Sequence, residues 1–151
     1  MSSSQFPLLF SPFRLGSREA RNRIVSTSHG TNLAVDGAPS DRLIAYHEAK
    51  AAGGCGMLMM FGSAAASSLT PISGNHVNLW KPEAEAGLRE AARAVKAHGA
   101  LALSQVTSMG RRTFNHADVI GYGPSDTVGQ VSHQVPHVLS VAEIEQFGAD
   151  Y

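Results

Sequence analysis

The chain has little of what marks several specialised classes of protein. It contains one cysteine, Cys55, so no disulfide can form within the chain and a reducing compartment is expected. The opening, MSSSQFPLLF, lacks the charged start and long apolar core of a signal peptide. The most apolar run, residues 55–66, is too short and too often interrupted by glycine to cross a bilayer. These absences predict a cytoplasmic protein with no membrane partner.

The sequence also lacks an excess of charge of either sign. Its 151 residues include 12 lysines and arginines against 12 aspartates and glutamates. A balanced chain creates no field that would draw nucleic acid to it, so no nucleic-acid partner is expected.

Several motifs of cofactor and metal sites are missing. No G-x-G-x-x-G follows a predicted strand, no Walker lysine loop is present, and no cysteine or histidine spacing suits zinc or an iron–sulfur cluster. His133 and His137 share a loop, but chance loop composition explains that pair better than a metal. We therefore predict no metal site in this segment and no Rossmann nucleotide site.

What is present is an alternation of strands and helices. The run NRIVSTS, residues 22–28, predicts a first strand, and Ser40 can cap a helix over residues 41–52 that Gly53 and Gly54 end. GMLMMFG, residues 56–62, is continuously apolar and predicts a strand buried on both faces.

The second half continues the alternation. Pro82 begins a helix predicted to end at His98, and the run ALALSQ from Ala100 to Gln105 predicts a third strand. A capping box predicts the start of a third helix. That capping box is Ser140 with Glu143. In the second helix the residues predicted to be buried are Ala84, Leu88, Ala91 and Val95. In or just after the third helix they are Val141, Ile144, Phe147 and Tyr151.

This order predicts an α/β fold with a parallel sheet of about three βα units. The strand-to-helix connections, residues 63–81 and 107–139, are long and polar, whereas the helix-to-strand connections are short. In parallel α/β folds the site lies at the carboxyl ends of the strands, where the long loops are, and Gln105 lies at such an end. A three-stranded doubly wound sheet is one solution. Because three strands leave open edges, we favour the amino-terminal portion of a (β/α)8 TIM barrel.

The order of motifs resembles one family. LFSPFRLGSREARNRIV, DGAPSDRLIAYHEAKAAGGCGMLMMFG, SQVTSMGRR and LSVAEIEQFGADY are similar, in that order, to segments of the Old Yellow Enzyme family of NADH:flavin oxidoreductases. The details look closest to the branch that contains dienoyl-CoA reductase and trimethylamine dehydrogenase. The likeness covers essentially the whole chain, so residues 1–151 are interpreted as an incomplete FMN-binding barrel domain whose remainder is missing or supplied in trans.

The resemblance implies FMN at the carboxyl-terminal mouth of the barrel, with hydride transfer to or from flavin N5. It further implies a small-molecule substrate and NAD(P)H as a possible electron donor. An iron–sulfur cluster is implied only if a downstream region exists. The implied partners are the rest of the barrel, a second subunit or further copies of this chain. The cofactor-binding residues it implies are Ser28, His29, Gly30, Gly62 and Gln105.

The chain also departs from the family pattern. Gly30 stands where many members carry threonine or histidine, and Ser108 stands where the family has a histidine. No catalytic acid or base can be named, so the catalytic residues are unknown. Other interpretations stay open: Gln105 as a strand-end amide that satisfies backbone groups, His29 as a structural histidine, and Gly62 as a mark of close backbone approach.

The functional alternatives are therefore two. The first is an FMN-dependent oxidoreductase that reduces an activated C=C bond or removes hydride from an amine N-methyl group. The second is an inactive truncated or split barrel subunit that acts only by association with another chain. A compact nucleotide-binding module is disfavoured because no glycine-rich phosphate loop is present.

Overall fold

A parallel three-stranded sheet with helices packed on it forms the body of the protein. The structure, a computed structural model, describes residues 5–70, 72, 74–112 and 120–151. Its strands and helices, in chain order, are β1 (Phe13–Leu15), β2 (Arg18–Ala20), β3 (Val25–Ser26), α1 (Asp41–Ala52), β4 (Met57–Ala65), α2 (Pro82–Ala97), β5 (Leu101–Thr107), β6 (Tyr122–Gly123), β7 (His137–Val138) and α3 (Val141–Ala149).

The body sheet has the strand order β3-β4-β5, and both pairs are parallel. Parallel neighbours joined by a helix are the repeating unit of α/β folds, so the predicted strand–helix alternation is confirmed. Strand β3 is shorter than the predicted residues 22–28, because only Val25 and Ser26 pair with β4. Strand β4 continues past the predicted end at Gly62 as far as Ala65.

Helix α1 begins and ends where the sequence predicts. The Ser40 hydroxyl accepts a hydrogen bond from the Leu43 amide at 3.2 Å, which satisfies one of the free donors of the first turn. The same hydroxyl donates to the Leu33 carbonyl at 2.5 Å, so the cap also fixes the preceding loop. Gly53 caps the carboxyl end and Gly54 has a φ of +109°, a conformation that glycine adopts without strain.

Helix α2 ends one residue before the prediction, with His98 as its cap. Its buried residues are Ala84, Ala91, Ala94 and Val95, whereas Leu88, predicted to be buried, is only half-buried at the edge of the core. The small alanines let α2 lie close to its neighbours, and it packs on α1 and β5. The core between these elements includes Leu43, Ala51, Leu58, Met60, Phe61 and Val95.

Helix α3 has the predicted cap but not the predicted burial. Ser140 and Glu143 form both hydrogen bonds of a capping box. Most of the apolar side chains predicted to be buried here, however, face solvent: Val141 is 73% exposed, Ile144 47% and Tyr151, just after the helix, 61%, while Phe147 is partly buried. The prediction of a buried face was wrong, because no strand or helix among the described residues packs extensively on α3 and none of its residues is buried.

Two small pairings were not predicted. β1 and β2 form an antiparallel hairpin ahead of the body sheet, and β6 pairs in parallel with β7 inside the long connection predicted as loop. Residues 113–119 of that connection, like Pro71 and Ser73 of the 63–81 connection, lie outside the described residues. Strands of two or three residues carry almost no sequence signal of their own, which is why these pairs escaped prediction.

Candidate functional site

A bulge in β4 marks the carboxyl-terminal edge of the sheet. Met60 pairs with Ser104 and Ala64 pairs with Val106, so residues 61–63 of β4 face the single residue Gln105 of β5. Bulges of this kind bend a strand and are frequent beside active sites. Phe61 opens the bulge with a φ of +55°, which is strained for any residue that carries a side chain.

The bulge brings the ends of the first two strands into contact. A Cβ atom added at Gly62 would lie 1.8 Å from the carbonyl carbon of His29 and 2.3 Å from the amide nitrogen of Gly30. Only glycine allows two backbones to approach so closely. The space that a side chain at position 62 would need is occupied by the His29–Gly30 backbone, which agrees with Gly62 as a mark of close backbone approach. Contact of Gly62 with a cofactor stays a prediction.

The predicted site residues therefore gather at one edge of the sheet. His29 and Gly30 contact Gly62, and Gln105 faces the same bulge from β5. Ser28 precedes this contact, and its Oγ atom is buried with no hydrogen-bond partner among the described residues. Buried polar atoms are normally paired, so an unpaired hydroxyl beside such an edge marks a place where a ligand could bind.

The side-chain amide of Gln105 is also without a partner in the described part of the chain, although it is less buried than the Ser28 hydroxyl. Its side chain is half-buried, and no hydrogen bond joins it to any residue that the structure describes. An amide presents a donor and an acceptor side by side, which suits a ligand edge that carries both. The interpretation of Gln105 as an amide that merely satisfies neighbouring backbone groups finds no such bond here.

Helix α1 contributes two ring side chains to this edge. Tyr46 Oη lies 2.9 Å from Nε2 of His29. His47 is buried, and its Nε2 accepts a hydrogen bond from the Phe61 amide at 3.5 Å. Burial, together with the positive charge of Lys50 and the nearby His29, lowers the pKa of His47 to about 4, so its imidazole is neutral at neutral pH.

His76 is a further residue at this edge that the sequence did not single out. A Cβ atom at Gly30 would lie 3.1 Å from Cε1 of His76, and one at Gly74 would lie 3.6 Å from Cδ2 of the same ring. The imidazole is half-buried, and burial lowers its pKa. Only its position in a long strand-to-helix connection, where site residues collect, could have drawn attention to it.

Residues at the amino-terminal end of the sheet make contacts that stabilise the fold. Asn22 is buried; its Nδ2 donates to the Gly54 carbonyl at 2.9 Å and its Oδ1 accepts from the Ile24 amide at 3.0 Å. Cys55 is partly buried against the core. Arg111 lies at the other end, after β5, where it donates to the Thr127 carbonyl at 3.5 Å and shows no ion pair with any described residue.

No metal centre emerges from the described part of the chain. No three histidine, cysteine, aspartate or glutamate side chains within it come together as metal ligands. His137 instead forms a hydrogen bond with the Glu143 carboxylate at 3.0 Å. None of the helices in the described ranges is both long and apolar enough to cross a membrane.

The fold and the edge define a class: a parallel α/β unit with its candidate site at the carboxyl ends of the strands. The sequence model of the NADH:flavin oxidoreductase / NADH oxidase family matches residues 8–151. The chain therefore belongs to this family, and the resemblance inferred from the motifs is confirmed.

Characterised relatives are similar at the level of sequence. N,N-dimethylglycine/sarcosine dehydrogenase of Chromohalobacter salexigens is 37% identical over 110 residues, which cover 72% of this chain and 16% of the relative. The multifunctional alkene reductase/demethylase OYE of Caballeronia cordobensis is 30% identical over 152 residues, which cover 99% of this chain and 22% of the relative. The chain thus spans about a fifth or less of the length of these two proteins.

Solved structures agree on the fold. The old yellow enzyme homologue from Zymomonas mobilis superposes with a TM-score of 0.81 at 24% identity, covering 96% of this chain and 43% of that one. The 2-naphthoyl-CoA reductase structure gives a TM-score of 0.85 at 22% identity, covering 95% of this chain and 24% of that one. The predicted fold class, an amino-terminal portion of a (β/α)8 barrel, is confirmed.

Proposed function

We propose that this chain is the part of an FMN-dependent oxidoreductase that supplies the carboxyl ends of the first three barrel strands to the flavin site. The observation that carries the proposal is the meeting of three strand ends at the β4 bulge. There the His29–Gly30 backbone contacts Gly62, and Gln105, whose side-chain amide has no hydrogen-bond partner among the described residues, lies opposite the bulge in β5. Such an edge offers backbone groups and an amide to a flat, hydrogen-bonding ligand.

The residues present fit a flavin. The pyrimidine edge of the isoalloxazine ring carries alternating acceptors and donors, which the side-chain amide of Gln105 can match. The buried Ser28 hydroxyl, without a partner among the described residues, adds a second polar group next to His29 and Gly30. FMN, when bound, would supply hydride transfer at N5, while these residues would bind and orient it.

The substrate proposed is a small organic molecule whose C=C bond is reduced or whose amine N-methyl group is oxidised. The relatives named above support both: one is an alkene reductase/demethylase and the other a dehydrogenase of N-methylated amino acids. NAD(P)H is the electron donor proposed for the reductive direction, in keeping with the family description. Residues for proton transfer are not assigned.

A second candidate is a barrel portion that acts only when another polypeptide completes it. Two exposed apolar surfaces favour it: the face of α3, and a groove between α2 and β5 to which Leu88, Leu103 and Val106 contribute. In this case the domain of residues 1–151 would bind its complement before any cofactor.

The test is FMN binding by the purified protein. We expect flavin absorption bands, either as isolated or after addition of FMN, and a Gln105→Leu variant that binds FMN about fivefold to tenfold more weakly, since one hydrogen bond to a ligand is worth about 1–1.4 kcal/mol. Gln130→Leu, at an exposed position, is the matched control and should bind like the parent. A colourless protein that takes up no FMN would overturn the proposal, and copurification of a second chain would then favour the alternative.

A further inference from the structure

Helix α1 sends two consecutive side chains to the ends of two different strands. Tyr46 forms a hydrogen bond with His29, which follows β3, and His47 accepts one from Phe61 in β4. The rings stack edge to face in a continuous series, with centroid distances of 5.6 Å from His29 to Tyr46, 5.2 Å from Tyr46 to His47 and 5.3 Å from His47 to Phe61. One helix therefore connects both sides of the contact that Gly62 permits.

Lys50, one turn further along α1, strengthens the same connection. Its ammonium group lies 4.3 Å from the centre of the Tyr46 ring, a cation–π contact, and donates a hydrogen bond to Ser26 Oγ at 3.1 Å. The Tyr46 ring is thus held between His29 and Lys50, and its hydroxyl is directed to the segment that follows β3.

A histidine at position 47 is less favourable for simple packing than an apolar side chain. Its Nε2 accepts the Phe61 amide hydrogen, so the proton of the neutral ring lies on Nδ1. That Nδ1 atom is buried and has no partner among the described residues. A buried donor without a partner costs about 1–3 kcal/mol, which a leucine at this position would avoid. Packing alone does not explain a histidine here, whereas the bond to Phe61 does.

Phe61 is the residue that needs such support. Its positive φ is strained, and strained backbone persists only where surrounding contacts enforce it. The strain opens the bulge that faces Gln105 and turns Gly62 onto the His29–Gly30 backbone. Removal of the His47 acceptor would let residue 61 relax toward ordinary strand geometry and separate the two strand ends.

We propose that Tyr46 and His47 are a pair of positioning residues that set the spacing between the His29–Gly30 and Phe61–Gly62 backbones at the candidate site. The inference rests on the proposed function for its consequence, which is the fit of the edge to FMN. Neither side chain is assigned a contact with the cofactor; both act through the backbone that they hold.

The experiment compares His47→Leu, His47→Gln and Val95→Ala in the purified full-length protein. Leucine removes the acceptor, glutamine keeps one, and Val95→Ala removes buried volume from the same core but from a different helix, α2, without touching the His47 acceptor. For each variant we would measure the exchange rate of the Phe61 and Gly62 amides, the FMN dissociation constant, the flavin midpoint potential and the free energy of unfolding.

We expect His47→Leu to speed exchange of the Phe61 amide, to weaken FMN binding by about tenfold, as the loss of one hydrogen bond to the ligand would, and to shift the midpoint potential. His47→Gln should recover most of the affinity. Val95→Ala should lose stability while keeping the dissociation constant and potential of the parent. Tyr46→Phe should weaken binding less, since the ring contacts remain.

Two results would overturn the inference. One is equal FMN binding and potential in His47→Leu and the parent; the other is an equal change in Val95→Ala, which would mean that general destabilisation explains the effect. If the parent takes up no FMN, the proposed function has failed on its own. Amide exchange still decides the positioning role in that case, because unchanged Phe61 protection in His47→Leu would show that His47 does not hold the bulge.

Discussion

Helices α1 and α3 both begin with a serine cap, yet only α1 is buried. The α1 residues Leu43 and Ala51 are buried in the core, and its cap also bonds the loop before it. Helix α3 has the more complete cap, a full capping box, but Ile144 on its apolar side is 47% exposed. The comparison separates two influences: local hydrogen bonds decide where a helix begins, and neighbouring elements decide whether its apolar face is covered.

The same contrast applies to what each region can contribute to a site. Helix α1 lies between strand ends and holds both through ring side chains, so a change there reaches the backbone at the β4 bulge. Helix α3 is joined to that region through its last turn, where the buried Ser67 hydroxyl donates to the Asp150 carboxylate. We therefore expect substitutions in the two regions to have effects of very different size.

The largest difference is expected for glycine replaced by alanine. In Gly62→Ala the new methyl group would overlap the backbone of His29, which cannot move aside without separating the strands. We expect a loss of more than about 4 kcal/mol in the free energy of unfolding, or no cooperative transition at all. Gly148→Ala in α3 meets no atom within 4 Å and should gain up to about 1 kcal/mol from helix propensity. Urea unfolding measures both, and a stable Gly62→Ala protein would refute the close contact.

A smaller difference is expected for the apolar side chains themselves. Leu58 in β4 is fully buried, so Leu58→Ala should cost about 2–5 kcal/mol through lost burial and the cavity left behind. Ile144→Ala in α3 should cost less than about 1 kcal/mol, because the side chain is half exposed already. Thermal unfolding at two protein concentrations provides the check. A large, concentration-dependent cost for Ile144→Ala would mean that a second chain covers α3 in solution.

Local sequence signals predicted the helices well, and non-local contacts account for what they missed. Ser40, Gly53, Pro82 and the Ser140–Glu143 box mark helix ends through bonds made within a few residues, so the bounds of α1 and α2 agree within one residue. The length of β3 depends on which residues find a partner in β4, which no pattern in NRIVSTS expresses.

The sequence predicted which strand ends form the candidate site, but not the bulge and the side-chain contacts that shape it. The family motifs led to His29, Gly30, Gly62 and Gln105, and the structure brings these strand ends together. The bulge was hidden, because GMLMMFG has the composition of a plain buried strand and nothing in it marks the positive φ of Phe61. The contributions of His47 and His76 were hidden for the same reason, since each depends on a partner from another element.

The smallest difference is expected in acid, where the two regions should weaken in separate pH ranges. The pKa of His47 is about 4 when folded and about 6.5 when unfolded, so the unfolded chain binds more protons between these values. The contribution of His47 to the free energy of unfolding is therefore fully present above pH 6.5 and is lost toward pH 4, by about 1–3 kcal/mol in total. His47 faces Lys50 of its own helix and His29 of the neighbouring segment, and both charges act in this direction. Burial also lowers the pKa of His76, which adds to the slope. The measured quantity is therefore the difference between the parent and His47→Gln, in which the His47 contribution vanishes.

The α3 cap behaves otherwise. Hydrogen bonds from Ser140 lower the pKa of Glu143, so the stability that Glu143 contributes persists until the pH falls below the usual glutamate value of 4.5. Amide exchange in α3 should therefore stay constant from pH 6.5 to 5, after correction for intrinsic rates, while the free energy of unfolding already declines. If instead exchange in α3 became faster as the free energy of unfolding declined, α3 would unfold only together with the body of the protein.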